Sequence, residues 1–161
     1  MEFHYPIGGL DAQALSSLVR RHGFADSRRV LDAFSQLAFA RIEGFMKGFI
    51  DLVFASEGRF YLLDYKSNWL GEDISAYARE HLEAAMLAHH YHLQYLFYCL
   101  ALHRYLRQRL PDYDYDRHFG GVFYLFLRGI QSQAGCEFGV YRERPPKSFI
   151  QALDARIGEG L

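Results

Sequence analysis

The sequence has few cysteines and no long hydrophobic run. Only two of its 161 residues are cysteine, Cys99 and Cys136. Two cysteines are too few for a disulfide framework or a four-cysteine zinc site. Cys99 also lies in an apolar helical pattern, where a free thiol packs as a core residue. No run of 18 apolar residues predicts a membrane span, and no secretory signal pattern opens the chain. We therefore expect a protein of the reducing cytoplasm.

The chain also lacks an excess of charge of either sign. Lys and Arg total 18 against 19 Asp and Glu, so the formal net charge is −1. This balance excludes a surface coated with Lys and Arg to hold phosphates, and contact with nucleic acid would need a local patch or a partner. The phosphate-binding pattern GxxxxGK[ST] is absent, which excludes a P-loop ATPase within this chain.

Aromatic residues, by contrast, are abundant. They make up 17% of the chain, with 12 Tyr and 14 Phe. Aromatic side chains favour strands and fill cores, and 161 residues fit one domain. We therefore expect residues 1–161 to form a single domain. Because the chain opens abruptly on a strand-like segment at residues 2–7, we also expect it to be a piece of a longer protein.

The order of the predicted elements indicates an α/β fold. We predict a first strand at 2–7, stopped by Pro6 and the Gly8-Gly9 pair, and then helices at 11–21 and 26–36 capped by Asp11 and Asp26. Hairpin strands at 49–54 and 60–66 follow, then a polar loop at 67–76 and one long helix at 77–110. The last predicted elements are a strand buried on both faces at 120–129, a loop at 131–139 and a final helix from Ser148. A hairpin followed by a helical crossover to another strand implies a mixed central sheet flanked by helices.

Two carboxylates and a lysine are predicted to converge on this sheet. Asp64 and Lys66 are two residues apart on one strand, so their side chains share a face while Tyr65 points the other way. The hairpin brings Asp51 close to them. Carboxylate oxygens suit Mg²⁺, and a metal can polarise a phosphodiester and lower the pKa of water. Lys66 could orient or deprotonate that water, or stabilise charge on the phosphate.

An isolated Asp-x-Lys is a weak signal, because an ion pair on a solvated strand face has the same spacing. Two further patterns accompany it here. A glycine, Gly48, stands three residues before Asp51, and Gln94 and Tyr98 are spaced i,i+4 on the long helix, a spacing also typical of an ordinary surface pair. In chain order the full set is Glu2, Gly48-x-x-Asp51, Asp64-Tyr65-Lys66 and Gln94-x-x-x-Tyr98.

This set resembles the RecB-type branch of the PD-(D/E)XK nucleases. The resemblance covers about residues 41–130, with a weaker likeness at 1–7, and its most specific segments are residues 47–54 and 62–71. It implies a restriction-endonuclease-like core. It also implies that Asp51, Asp64 and the Tyr65 backbone carbonyl bind Mg²⁺, with Mn²⁺ as a substitute, and that Lys66 is the catalytic lysine.

The remaining positions of the set have implied roles as well. Gln94 and Tyr98 would lie beside the site and hold the DNA or the catalytic groups, and Glu2 would match an acidic position on the first core strand. Members of the family carry a further metal-ligating histidine on a helix upstream of that strand. No residue here matches it, and His4 is on the strand itself. We therefore expect weak metal binding and weak cleavage by this chain alone. Residues 8–40 match no functional motif.

The resemblance further implies a C-terminal domain of a helicase–nuclease subunit. Such an enzyme is a metal-dependent deoxyribonuclease of the exodeoxyribonuclease V type, works on DNA with RecC-like and RecD-like subunits, and loads a RecA-like recombinase in recombinational repair. The alternative is a non-catalytic module that docks RecC-like or RecA-like partners, and a third possibility is a nuclease acting on another nucleic acid. The complete set of Asp51, Asp64 and Lys66 argues against a pure docking module.

Other residues leave alternatives open. Five histidines on the predicted long helix could suggest zinc, but no Cys, Asp or Glu completes a tetrahedral set nearby; they are His81, His89, His90, His92 and His103. Arginines near the end of that helix could contact phosphate or complement the helix dipole; they are Arg104, Arg107 and Arg109. Trp69 could stack on a base or anchor its own loop.

Overall fold

The structure, a computed structural model, describes residues 1–23, 27–35, 42–131 and 137–158. In chain order the elements are β1 (Glu2–Leu10), α1 (Ala12–His22), α2 (Ser27–Ser35), β2 (Ile42–Phe49), β3 (Leu52–Ser56), β4 (Arg59–Lys66), α3 (Arg79–Ala88), α4 (Tyr91–Arg109), α5 (Tyr115–His118), β5 (Phe119–Phe126), β6 (Val140–Glu143) and α6 (Lys147–Gly158), with 3₁₀ turns at Ile74–Tyr77 and Leu127–Gly129. Within these ranges, no helix combines the length and apolarity that crossing a membrane requires.

The strands form two sheets in the described part of the chain. β1 pairs with β2 in an antiparallel ribbon, and the larger sheet has the order β3-β4-β5-β6. In the larger sheet β4 and β5 are parallel, whereas its other neighbours are antiparallel. Parallel neighbours need a crossover connection, which α3 and α4 supply here. The predicted α/β fold with a mixed sheet and flanking helices is therefore confirmed.

The β3–β4 hairpin fixes the register at the site. Ser56 pairs with Arg59, and the two residues between them, Glu57 and Gly58, have φ angles of 50° and 74°. Positive φ at both central positions is the geometry of a type I′ turn, whose twist matches that of the strands. At the other end Leu52 pairs with Leu63. Continuing this register by one residue brings Asp51 opposite Asp64.

The predicted long helix at 77–110 is wrong in one respect, because it is divided at His89 and His90. His90 has a left-handed backbone with φ of 54°. The N–H of His89 closes α3 on the carbonyl of Ala85, and the carbonyl of His90 accepts the N–H of Leu93 to begin α4. Histidine adopts this conformation more readily than most side chains, and neither glycine nor proline marks the break.

The strand boundaries also differ from the predictions. The strand predicted at 2–7 continues to Leu10, because Pro6 is tolerated on a strand that, within the described residues, pairs on one side only. The strand predicted at 49–54 is divided at Ile50 and Asp51, and the glycine-rich segment before it forms β2. β6 was not predicted. Asp11 caps α1 by accepting the N–H of Ala14 at 2.7 Å, whereas Asp26 lies outside the described residues.

Helix α4 is the centre of the core. Its side chains pack between the ribbon, the larger sheet and α6, and several are fully buried: Tyr95, Leu96, Cys99, Leu100 and Leu102. The predicted core position of Cys99 is thus confirmed. Because α4 is held on several sides, the polar residues on it have fixed positions relative to the end of β4.

Candidate active site

The alternation of β4 places two charged side chains inside the protein. Asp64 is 4% exposed and Lys66 is 9% exposed, whereas Tyr65 between them is 47% exposed. Charged side chains are seldom buried unless they are paired. Lys66 Nζ lies 2.5 Å from Asp64 Oδ2 and forms that pair.

The ammonium group of Lys66 has further partners. It donates a hydrogen bond of 3.0 Å to Gln94 Oε1. It also lies 4.0 Å from the ring centre of Tyr91 and 4.9 Å from that of Tyr124, which adds cation–π attraction. Four side chains from three elements therefore hold one nitrogen atom in place at the end of β4.

Asp64 is less well satisfied than Lys66. Apart from the contact with Lys66, its buried Oδ2 has no hydrogen-bond partner among the described residues. Burial raises the pKa of Asp64 and the charge of Asp51 raises it further, while Lys66 opposes both effects. A buried carboxylate oxygen whose one contact is the Lys66 ammonium can accept a further partner, and a bound cation would be one. The carboxylate pair therefore fits a metal that would compensate its charge.

Asp51 approaches the same point from the hairpin. It is exposed, and its Oδ2 accepts the backbone N–H of Tyr65 at 2.9 Å. The described residues contain no group of three or more His, Cys, Asp and Glu side chains placed to hold a metal. A cation bound here would depend on two carboxylates, backbone oxygen and water. Mg²⁺ suits such a set, because it usually keeps several waters and takes one or two carboxylates.

Gln94 and Tyr98 lie one helical turn apart and form a relay to Lys66. The Nε2 of Gln94 donates to the Tyr98 hydroxyl at 2.9 Å, while Oε1 accepts from both Lys66 and the Tyr124 hydroxyl at 3.0 Å. Two donors on Oε1 fix the orientation of the amide. Burial raises the pKa of Tyr98, and the charges of Asp64 and Asp51 add to this. Tyr98 therefore keeps its proton beside both carboxylates.

Three residues of the site were not predicted from the sequence, and they are Tyr91, Tyr124 and Asn68. Tyr124 pairs with Asp64 in the β4–β5 register, and a hydroxyl on an otherwise apolar strand was the available signal. Tyr91 lies three residues before Gln94, hence on the same helix face. Its hydroxyl donates to Asn68 Oδ1 at 3.1 Å, and the Asn68 amide contacts His89 at 3.1 Å. These contacts link the loop after Lys66 to the helix break.

Other predicted candidates lie elsewhere. Glu2 is half exposed on the ribbon and pairs with Lys47 at 2.7 Å, and this contact lowers the pKa of Glu2. Arg104 and Arg107 both pair with Asp154, at 2.6 and 2.8 Å, and join α4 to α6.

The histidines are dispersed rather than clustered. His92 is buried beside Tyr141, His103 contacts the Tyr113 hydroxyl at 3.0 Å, and His81 contacts the Ser75 carbonyl.

Known proteins resemble this chain along nearly its whole length. It matches the PD-(D/E)XK nuclease superfamily over residues 3–159. It is 52% identical over 155 residues to the RecBCD enzyme subunit RecB of Escherichia coli K12, a match covering 96% of this chain and 13% of that protein. RecB of Haemophilus influenzae is 45% identical, with 89% and 11% covered, and RecB of Mycolicibacterium smegmatis is 33% identical, with 95% and 16% covered. This chain therefore spans a small part of the length of these relatives.

Proposed function

This chain belongs to the PD-(D/E)XK nuclease superfamily, and on that premise we propose that it hydrolyses DNA phosphodiester bonds at Asp51, Asp64 and Lys66. The observation that carries the proposal is the buried Asp64 carboxylate. It lies against Lys66 and close enough to Asp51 for its pKa to rise, and one buried oxygen has only the Lys66 contact. This arrangement is costly for stability, and the chemistry of the superfamily accounts for it.

Nucleases of this superfamily use divalent metals, and we propose Mg²⁺, with Mn²⁺ as a substitute. Asp51, Asp64 and the Tyr65 backbone carbonyl would hold it. When bound, it supplies Lewis-acid polarisation of the scissile phosphodiester. Protons compete for the same carboxylates, so metal affinity should fall as the pH approaches the raised pKa of Asp64.

Lys66 stabilises negative charge in this proposal. Its partners are a carboxylate, an amide oxygen and two ring faces, all of which attract the ammonium group. The nitrogen is therefore fixed before the substrate arrives, so it can interact with the phosphate and orient the attacking water without reorganisation. A preorganised donor of this kind is worth about 10²–10³ in rate.

Gln94 and Tyr98 support this geometry in different ways. Gln94 positions Lys66, because its oxygen accepts from Nζ and is held by Tyr124. Tyr98 accepts the Gln94 amide and keeps its own hydroxyl proton. That proton can be donated in a hydrogen bond to a phosphate oxygen that enters the site.

The relatives suggest the larger setting. They are named as RecB subunits of the RecBCD enzyme, so we propose that this chain is the nuclease domain of a RecBCD-like enzyme of the exodeoxyribonuclease V type. RecC-like and RecD-like subunits would be its partners, with a RecA-like recombinase acting downstream. The alternative of a docking module gains less support, because a docking surface has no use for a buried carboxylate–lysine pair.

A cleavage assay tests the proposed function. End-labelled linear DNA is incubated with the chain and Mg²⁺, and wild type is compared with Lys66→Ala and with Lys47→Ala, a lysine exposed on the ribbon. We expect Lys66→Ala to lose activity by about 10²–10³ and Lys47→Ala to retain it. Equal cleavage by wild type and Lys66→Ala would remove this site from the reaction.

A further inference from the structure

The single tryptophan of the chain lies in the loop that follows Lys66 and is exposed. Trp69 is 65% exposed, and its indole has no ring partner in the described ranges. Loop residues on both sides of it are instead held by Tyr77, which is buried: the Tyr77 hydroxyl accepts the N–H of Leu70 at 3.1 Å and donates to the carbonyl of Asn68 at 3.4 Å. The loop is thus anchored by Tyr77, which leaves the indole free to bind something else.

Arg128 faces Trp69 across a cleft of about 200 Å³. Its Nε donates to the carbonyl of Ser67 at 3.0 Å, and among the described residues its guanidinium makes no ion pair. The two terminal nitrogens are therefore available while the Nε contact fixes the plane of the group. Glu72 lines the same cleft but does not neutralise Arg128 in an ion pair.

The cleft lies at the edge of the sheet that carries the active site. β4 and β5 are parallel and Lys66 pairs with Phe126, so the segments after both strands emerge side by side, about 5 Å apart. Tyr77 forms part of the wall of the cleft, and Gly129 packs directly against it. A Cβ added at Gly129 would lie only 2.5 Å from Tyr77, so this wall is closely packed. Trp69 is three residues after Lys66, and three residues of chain reach at most about 10 Å. A DNA strand advances about 3.4 Å per nucleotide, so Trp69 lies within a few nucleotides of a phosphate bound at Lys66.

We propose that Trp69 and Arg128 form a binding subsite for the DNA strand that flanks the scissile phosphate. Trp69 stacks on a base, and Arg128 binds a neighbouring phosphate through its two terminal nitrogens. Stacking on an indole tolerates any base, and a guanidinium matches the oxygens of a phosphate. A local subsite of this kind is what a chain of net charge −1 needs to hold DNA. The inference rests on the proposed nuclease function and specifies how its substrate is held.

The test uses Trp69 as its own probe, since no other tryptophan is present. Metal-free chain is titrated with fluorescein-labelled 20-nucleotide oligothymidine in EDTA at low salt, and tryptophan emission and anisotropy are both recorded. We expect quenching of Trp69 that follows the anisotropy curve. Trp69→Ala should weaken binding by about 5- to 150-fold, whereas Trp69→Phe, which keeps a stacking face, should recover most of it. Tyr105→Ala removes an exposed aromatic residue on α4 and should leave binding unchanged.

Arg128 is tested by the salt dependence of the same titration. Arg128→Ala should reduce the slope of log affinity against log salt by about 0.7, the contribution of one phosphate contact on single-stranded DNA. Arg128→Lys should keep that slope. Arg117→Ala, which removes an exposed arginine before the opposite end of β5, should also keep it.

Different results would refute the nuclease function and the subsite formed by Trp69 and Arg128. In the Mg²⁺ cleavage assay, Trp69→Ala should raise KM and leave kcat within about twofold. If Lys66→Ala abolishes cleavage while Trp69→Ala alters neither binding nor KM, the nuclease stands and the subsite is refuted. If no metal supports cleavage but DNA quenches Trp69 and the variants weaken binding, Trp69 and Arg128 bind DNA as proposed, while the nuclease function and the place of the subsite beside a scissile phosphate are refuted. Saturated anisotropy without quenching, or no binding at low salt, overturns the subsite.

Discussion

Acid should destabilise this protein through one histidine of the central helix. His92 on α4 is buried, and its Nε2 lies 3.4 Å from the Tyr141 hydroxyl. Burial lowers the pKa of His92 from 6.5 to about 4. That difference of about 2.5, at 1.36 kcal/mol for each pKa unit, corresponds to roughly 3 kcal/mol of stability.

Acid lowers the stability because the pKa of His92 is lower in the folded protein than in the unfolded chain. Since the unfolded chain protonates His92 at a higher pH than the folded protein does, protons favour unfolding. The contribution is fully present above pH 6.5 and is lost as the pH falls to about 4. We therefore expect His92 alone to remove roughly 3 kcal/mol from the free energy of unfolding across this range.

Urea unfolding followed by circular dichroism at pH 7.5 and pH 4.0 measures this loss. His92→Gln keeps a hydrogen-bonding side chain that does not titrate, so its loss between the two pH values should be smaller than that of wild type by about 3 kcal/mol. Carboxylates titrate in both proteins and cancel in the comparison. His4→Gln, on the exposed side of β1, should behave as wild type. Equal losses in His92→Gln and wild type would refute the argument.

Three further outcomes concern the site and its substrate. Gln94→Ala should slow single-turnover cleavage by about 10- to 100-fold, because Lys66 loses the oxygen that positions it; an unchanged rate would remove Gln94 from the site. Mn²⁺ at about 100 times its Kd should raise the melting temperature of wild type by roughly 5–10 °C, and equal stabilisation of Asp64→Asn in a thermal shift assay would place the metal elsewhere. DNA binding by this chain should be weak and should fall steeply as the salt concentration rises. Tight binding that does not change with salt would contradict the prediction that a local charged patch holds the DNA.

The sequence predicted the parts of the site that depend on local rules. The turn at Glu57 and Gly58 and the alternation along β4 follow from a few adjacent residues, so the placement of Asp51, Asp64 and Lys66 could be derived. The resemblance to a family then supplied their roles. Helical spacing placed Gln94 and Tyr98 on one face of the helix, and the resemblance placed that face beside the site.

The parts that were missed depend on contacts between distant segments. The role of Tyr124 requires the parallel register of β4 and β5, which pairs it with Asp64 from a distant part of the sequence. β6 has four residues and pairs with β5, so its strand conformation depends on a partner elsewhere in the chain. The loop that carries Trp69 is held by the Tyr77 hydroxyl, which contacts the backbone on both sides of Trp69. The break at His90 has no glycine or proline to mark it.

The most direct test of the account is a crystal structure of the chain grown with Mn²⁺, with anomalous scattering used to locate the metal. The account predicts an anomalous peak bound by carboxylate oxygens of both Asp51 and Asp64, next to Lys66, and the loss of that peak in Asp64→Asn. A peak bound elsewhere, or none between the two carboxylates at saturating Mn²⁺, would contradict the proposal that this carboxylate pair is the metal site.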